Sequence, residues 1–278
     1  MREIQYYIDH SRSMEVAGYG RDKKCFRFPA DDVALLEHEP VGLREIITLR
    51  VDALAKLIEK ERNIRNGEVK TLDFKVIDNC RIYVLQGLAK GQTVFVPSTE
   101  AVKLVEQGLR GKRELARRNL RKSDILAGAQ QKHYDGFFLD VREMLGRGID
   151  IDFNRVENFF YDETVGFTAV DRDVNSPINI LKDWQWQDIV KKDVFNIFTN
   201  FTAVKGDERA FEQGPLGVFE ANRYKENRIT IAKRVADAMM RGGIPRENVE
   251  DFLKSKETAS FLTSAYKAVG SKPKARCI

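Results

Sequence analysis

One stretch of this 278-residue chain, Gly148 to Asp173, combines residue types and spacings that could do chemistry. It reads Gly-Ile-Asp-Ile-Asp-Phe-Asn-Arg-Val-Glu-Asn-Phe-Phe-Tyr-Asp-Glu-Thr-Val-Gly-Phe-Thr-Ala-Val-Asp-Arg-Asp. Two short apolar runs, Asn158–Asp162 and Phe167–Asp171, joined by Glu163-Thr-Val-Gly166, predict a β-hairpin. A hairpin carries its two outer ends side by side. Asn158, which opens the first strand, and Asp171, which closes the second, are therefore expected close together. An amide oxygen and a carboxylate facing one point suit a hard cation such as Mg²⁺. Asp150 and Asp152, on the loop just before, are expected near the same point. Asn and Asp also occupy hairpin ends for purely local hydrogen-bonding reasons, and that role stays open for both.

The elements around this stretch must position it. Glu3–Ile8, Met14–Ala17 and Lys24–Phe28 are short segments rich in β-branched or aromatic residues and predict strands, with Gly18-Tyr-Gly20 as a tight turn between the second and third. Leu43, Ile46, Ile47, Val51, Leu54, Leu57 and Ile58 recur at helical spacing and predict a helix over Val41–Asn63. Strands follow at Leu72–Ile77 and Arg81–Gln86, with Asp78-Asn79 turning between them. From Ser98 the pattern is helical, with helices over Leu109–Lys122 and Tyr134–Leu145. The hairpin interrupts, and Ile180–Gly270 is helical again apart from a loop at Lys205–Gly217. The expected fold is α+β and two-lobed: a β-rich lobe with one long helix over residues 1–90, and a larger helical lobe over 91–278 with the hairpin 158–171 embedded in it.

This order and the interval of thirteen residues from Asn158 to Asp171 resemble the protein-kinase-like fold, in the manner of divergent bacterial effector kinases and small-molecule phosphotransferases. In that family a catalytic loop supplies an Asp base and then an Asn, and a later hairpin supplies an Asp; the Asn and the second Asp bind the metals. The resemblance implies ATP and Mg²⁺ as cofactors, bound in the cleft between the lobes. It implies Asn158 and Asp171 as metal ligands, and Asp152, with Asp150 as the alternative, as the base. Arg27 (or Lys24), at the end of the third predicted strand, takes the place of the phosphate-contacting lysine. Glu45, 18 residues on, takes that of its pairing glutamate, and Gly18 and Gly20 stand where the family has a glycine-rich loop. The chain departs from the family in having no His-Arg-Asp, in placing Asp152 six residues before Asn158, and in following Asp171 with Arg172. Two activities fit: phosphoryl transfer to a protein hydroxyl or a small molecule, or a pseudokinase that binds without transferring.

Composition narrows the field. With 42% hydrophobic and 32% charged residues the chain has the balance of a folded protein, not of a disordered one. Three cysteines, Cys25, Cys80 and Cys277, have no paired spacing, so no motif supports a Cys-based metal site and the odd count does not suggest a disulfide framework. His10, His38 and His133 form no ligand set, and Trp184 and Trp186 read as packing residues. No apolar run approaches the length of a membrane span, and the first ten residues hold no apolar signal core. The expected setting is cytoplasmic, or export without a cleavable signal, with no membrane partner. The net charge of +5 and a pI near 9.0 suit a phosphate-bearing ligand. Arg113, Arg117, Arg118 and Arg121, within the basic segment Leu109–Lys122, read first as a solvated face. A nucleic-acid backbone is the rival reading, but no aromatic stacking motif accompanies them. The expected partners are a nucleotide and a protein substrate, with nucleic acid ranked below both.

Overall fold

The structure, a computed structural model, describes residues 2–16, 18–19, 23–38, 44–62, 69–78, 81–94, 96, 98–151, 158–170, 172–174 and 218–254. The fold is mixed α+β, with small antiparallel sheets and a larger share of helix. The chain falls into two compact units. The first comprises Met1–Lys90, Glu143–Ile151 and Thr168–Ile180; the second comprises Gly91–Arg142, Asp152–Phe167 and Leu181–Ile278.

In the first unit a helix α1 (Ile4–Ser11) precedes strands β1 (Gly18–Tyr19), β2 (Lys23–Phe28) and β3 (Val33–His38), a helix α2 (Arg44–Glu61), and strands β4 (Thr71–Ile77) and β5 (Arg81–Gly87). The five strands form one antiparallel sheet in the order β1-β2-β3-β5-β4. Side chains alternate between its two faces. Phe26, Val33, Leu35, Tyr83 and Leu85 meet Ile4, Tyr7 and Ile8 of α1 on one face. Leu36, Ile82 and Val84 meet Leu54 of α2 on the other, together with Cys25, Phe74 and Val76.

Three expectations are corrected here. The predicted strand Glu3–Ile8 is instead the N-cap, Glu3, and start of helix α1: the helix's buried residues Ile4, Tyr7, Ile8 and Ser11 have i, i+3, i+4, i+7 spacing, and packing that stripe on the sheet outweighs the β-propensity of its tyrosines. Met14–Val16 has no strand structure, and the first strand is Gly18–Tyr19, so Gly18 pairs with Cys25 instead of forming a turn. Val33–His38 is a strand that the sequence reading passed over. Its Val-Ala-Leu-Leu run is buried throughout because helices cover both faces of the sheet there, which removes the alternation that betrays a half-exposed strand.

The second unit is built from helices α3 (Ser98–Glu106), α4 (Gly108–Gly128), α5 (Gln131–Gly146) up to Arg142, α6 (Val218–Arg241) and α7 (Arg246–Lys254), the last turn of α5 belonging to the first unit. Helix α4 packs on α3 and on α6. Gly111 makes the first contact possible: a Cβ there would stand 1.7 Å from the carbonyl oxygen of Leu104. A three-stranded sheet runs in the order β6-β8-β9, from β6 (Gln92–Thr93), β8 (Phe159–Asp162) and β9 (Gly166–Ala169). The predicted hairpin is therefore present. Two further short strands, β7 (Ile149–Ile151) and β10 (Arg172–Val174), pair antiparallel with each other in the first unit. Of the predicted helical region Ile180–Gly270, the described part, 218–254, holds α6 and α7; the remainder and the loop Lys205–Gly217 lie outside the described residues.

Candidate functional site

Helix α5 ends in Gly146-Arg147-Gly148, and Gly148, at φ +71°, makes the turn that leads into β7. Ile149 and Ile151 are buried, which anchors the strand on either side of Asp150. The β7–β10 ladder pairs Ile149 with Val174, Asp150 with Asp173 and Ile151 with Arg172. Helix α2 lies against β10 and β4. Two bonds tie its C-terminal end to the start of β7: Lys60 Nζ donates to the carbonyl of Gly148 at 3.3 Å, and Arg147 donates to the carbonyl of Lys60 at 3.2 Å. Arg147 also pairs with Glu143 one turn earlier in α5.

The acidic segment leaves this ladder at Ile151 and returns to it at Arg172. Asp152, next after Ile151, and Asp171, next before Arg172, lie outside the described residues. Of Asp150 only the backbone is described, and it is directly opposite Asp173. Asn158 is 6% exposed at the entrance to β8, in the second unit. Among the described residues no three His, Cys, Asp or Glu side chains gather into a metal-binding group.

An aromatic cluster holds the hairpin on α5. Phe167 lies with its ring centroid 4.9 Å from Tyr134 and 4.8 Å from Tyr161, and Phe137 packs against Phe159 at 6.0 Å. The Tyr134 hydroxyl donates to the carbonyl of Leu126 at 2.8 Å, and burial pushes its phenol well above the ordinary range. Tyr161 is likewise raised, first by burial and then by Glu163 and Asp162. His133 is buried, with Nδ1 3.2 Å from the Tyr161 hydroxyl. Asp162 is committed to the turn: its Oδ1 accepts from the backbone of Thr164 at 2.8 Å and of Val165 at 3.0 Å.

In the first unit, β2 carries Lys24 and Arg27, but it is the second strand of the sheet, not the third as the sequence reading counted it. The third, Val33–His38, carries neither lysine nor arginine. Strand alternation separates the two candidate phosphate contacts. Lys24 shares a face with Phe26, toward α1, and lines a cavity of about 470 Å³ with Arg12, Glu37, Tyr83 and Arg81. Arg27 is exposed and shares with Cys25 the face on which α2 packs. Glu45 falls in the first turn of α2, described in its backbone only, and Gly20 lies outside the described residues.

Sequence reasoning missed the β7–β10 ladder, Asp173 as the partner of Asp150, and the Lys60–Arg147 tie. Three-residue strands carry too little pattern to signal themselves, and no local rule connects positions almost ninety residues apart. No protein-family model matches this chain, and no curated protein matches it significantly. Among the described residues no helix is long and apolar enough to cross a membrane.

Proposed function

We propose that this chain is an ATP- and Mg²⁺-dependent phosphotransferase of the protein-kinase-like fold. The observation that carries the reading is the β7–β10 ladder, in which Ile151 and Arg172 are partners. Phosphoryl transfer is chiefly positioning and charge neutralisation, so a base and a metal ligand distant in sequence have to be brought to one place. The ladder holds together the two ends of the segment that contains Asp152, Asn158 and Asp171. The order of elements agrees: an antiparallel five-stranded sheet with α2 inserted after its third strand, then helices, then the acidic segment and its hairpin.

In this reading Asn158 and Asp171 ligate Mg²⁺ and Asp152 is the base, with Asp150 as the alternative. Arg27, on the sheet face covered by α2, contacts phosphate, with Glu45 as its partner. The acceptor oxygen, of a protein or a small molecule, attacks the γ-phosphorus. The bond to the ADP oxygen breaks, and the acceptor proton passes to the aspartate carboxylate. Thermal unfolding with and without ATP and Mg²⁺ tests the reading, because a ligand that binds only the native state raises the melting temperature. A Mg²⁺-dependent rise that disappears in Asp171→Ala is expected; no rise with saturating nucleotide in the wild type would sink it.

One observation favours a second reading, nucleotide binding without transfer: the third strand ends in Glu37-His38 and supplies no cation. A thermal shift with ATP, combined with no transfer of labelled phosphate to the protein itself, to added proteins or to water, would establish it.

A further inference from the structure

One helix carries a dense run of positive charge. Gly108–Lys122, the first part of α4, holds seven lysines and arginines against one acid, Glu114, whereas the whole chain has a net charge of only +5. The remainder of the chain is close to neutral in sum, with acidic stretches such as 149–217 offsetting basic ones such as 255–278.

Packing sorts six of these seven cations into two groups. Arg118 binds Glu100 of α3 and, through Nε at 2.9 Å, Glu114. Lys122 donates to Gln92 at 2.9 Å and to the carbonyl of Thr93 at 2.6 Å. These two hold α4 to its neighbours. Arg110, Arg113 and Arg117 are exposed and have no hydrogen-bond or ion-pair partner among the described residues. Arg121 is 69% exposed and lies 3.9 Å from Glu114, whose carboxylate is already taken by Arg118. At about 100° and 1.5 Å per residue, Arg110, Arg113, Arg117 and Arg121 fall within an arc of roughly 80° along about 16 Å of helix. Leu115 and Leu126, on the opposite side, and Ala116 and Leu120, on the flank, are buried, and α4 packs closely on α3 at Gly111.

We infer that this face of α4 binds the phosphodiester backbone of a double-stranded nucleic acid, without reading its bases. The planar guanidinium group matches phosphate in a two-pronged hydrogen-bonded geometry. A protein partner is favoured by an apolar centre to the contact, and insertion into a lipid surface needs an apolar face. Within the arc there is neither: the apolar neighbour is the single exposed Leu109 at its edge. No aromatic residue lies in the arc, so unpaired bases have nothing to stack on, which favours a duplex over a single strand. This inference does not depend on the phosphotransferase reading.

The test uses the full-length protein and a fluorescein-labelled DNA duplex of arbitrary sequence, with binding followed by anisotropy. Three free arginines should give a fall in log K against log[KCl] with a slope of about −3 between ~50 and ~200 mM. Arg113→Gln should make the slope shallower by about one unit. Arg110→Glu with Arg113→Glu and Arg117→Glu should abolish binding while leaving the melting temperature unchanged, since these side chains hold no other part of the fold. Wild-type binding by that triple variant would overturn the inference. So would a slope near zero, or equal binding of polyglutamate or of phosphatidylserine vesicles.

Discussion

The ammonium group of Lys60 reaches the carbonyl of Gly148 at 3.3 Å, and a Cβ on Gly148 would stand 2.9 Å from that same nitrogen. With the return bond from Arg147 to the carbonyl of Lys60, this makes a cross-brace between the end of α2 and the start of β7. Lys60→Met keeps the aliphatic stem and removes the donor. It should lower unfolding free energy by about 1 kcal/mol, the net worth of one partly buried bond. Urea denaturation measures this, and a loss under ~0.3 kcal/mol would show that water replaces the bond without cost.

Two glycines of α4 should respond to alanine with opposite sign. At Gly111 the new methyl would stand 1.7 Å from the Leu104 carbonyl oxygen, so α3 and α4 have to separate. Gly111→Ala should cost about 1–3 kcal/mol or more. At Gly128 a methyl meets nothing within 4 Å, and the residue ends the same helix. Gly128→Ala should stabilise by roughly 0.4–1 kcal/mol, chiefly by restricting the unfolded chain. Parallel denaturation curves decide the matter; equal effects at the two sites would contradict the packing at Gly111.

The aspartates of the acidic segment should separate binding from transfer. Asp152→Ala is expected to abolish transfer from labelled ATP while keeping the nucleotide-induced thermal shift, whereas Asp171→Ala should lose both. If Asp152→Ala stays active and Asp150→Ala does not, the base is the residue opposite Asp173 in the ladder, and the phosphotransferase reading stands with that change.

Cys25 should be a sluggish nucleophile. Burial holds its thiol above the ordinary value of 9.0, against the opposing pull of Arg27 and Lys23, so the thiolate forms only at higher pH than in a free cysteine. In a Cys80→Ser, Cys277→Ser background, the rate of iodoacetamide labelling against pH should have its midpoint above 9.0. A midpoint below that value would mean that the neighbouring cations, not burial, dominate.

Much of the fold was legible in the chain. The Leu54–Leu57 stripe of α2, the alternation in β4, and the apolar runs of β5 and of the hairpin, each bounded by polar or turn residues, declared themselves from their own residues. The errors have one cause. At Ile4–Ser11 the residue types favour a strand, but the spacing of the buried residues makes a helix once there is a sheet to pack on. At Val33–His38 the alternation vanishes because both faces are covered. In each case the environment that decides the conformation is supplied by residues far away in sequence.

The same division holds for the candidate site. That Asp150, Asp152, Asn158 and Asp171 crowd one segment, and that 109–122 is strongly basic, can be read from the chain alone, because identity and spacing need no folding to exist. It takes the fold to show that Ile151 pairs with Arg172, that Lys24 and Arg27 belong to opposite faces of the sheet, and that Arg118 and Lys122 are committed to internal bonds while Arg110, Arg113 and Arg117 are not. Pairing, facing and partner choice are properties of contacts between distant residues, and local spacing does not encode which distant group is in reach.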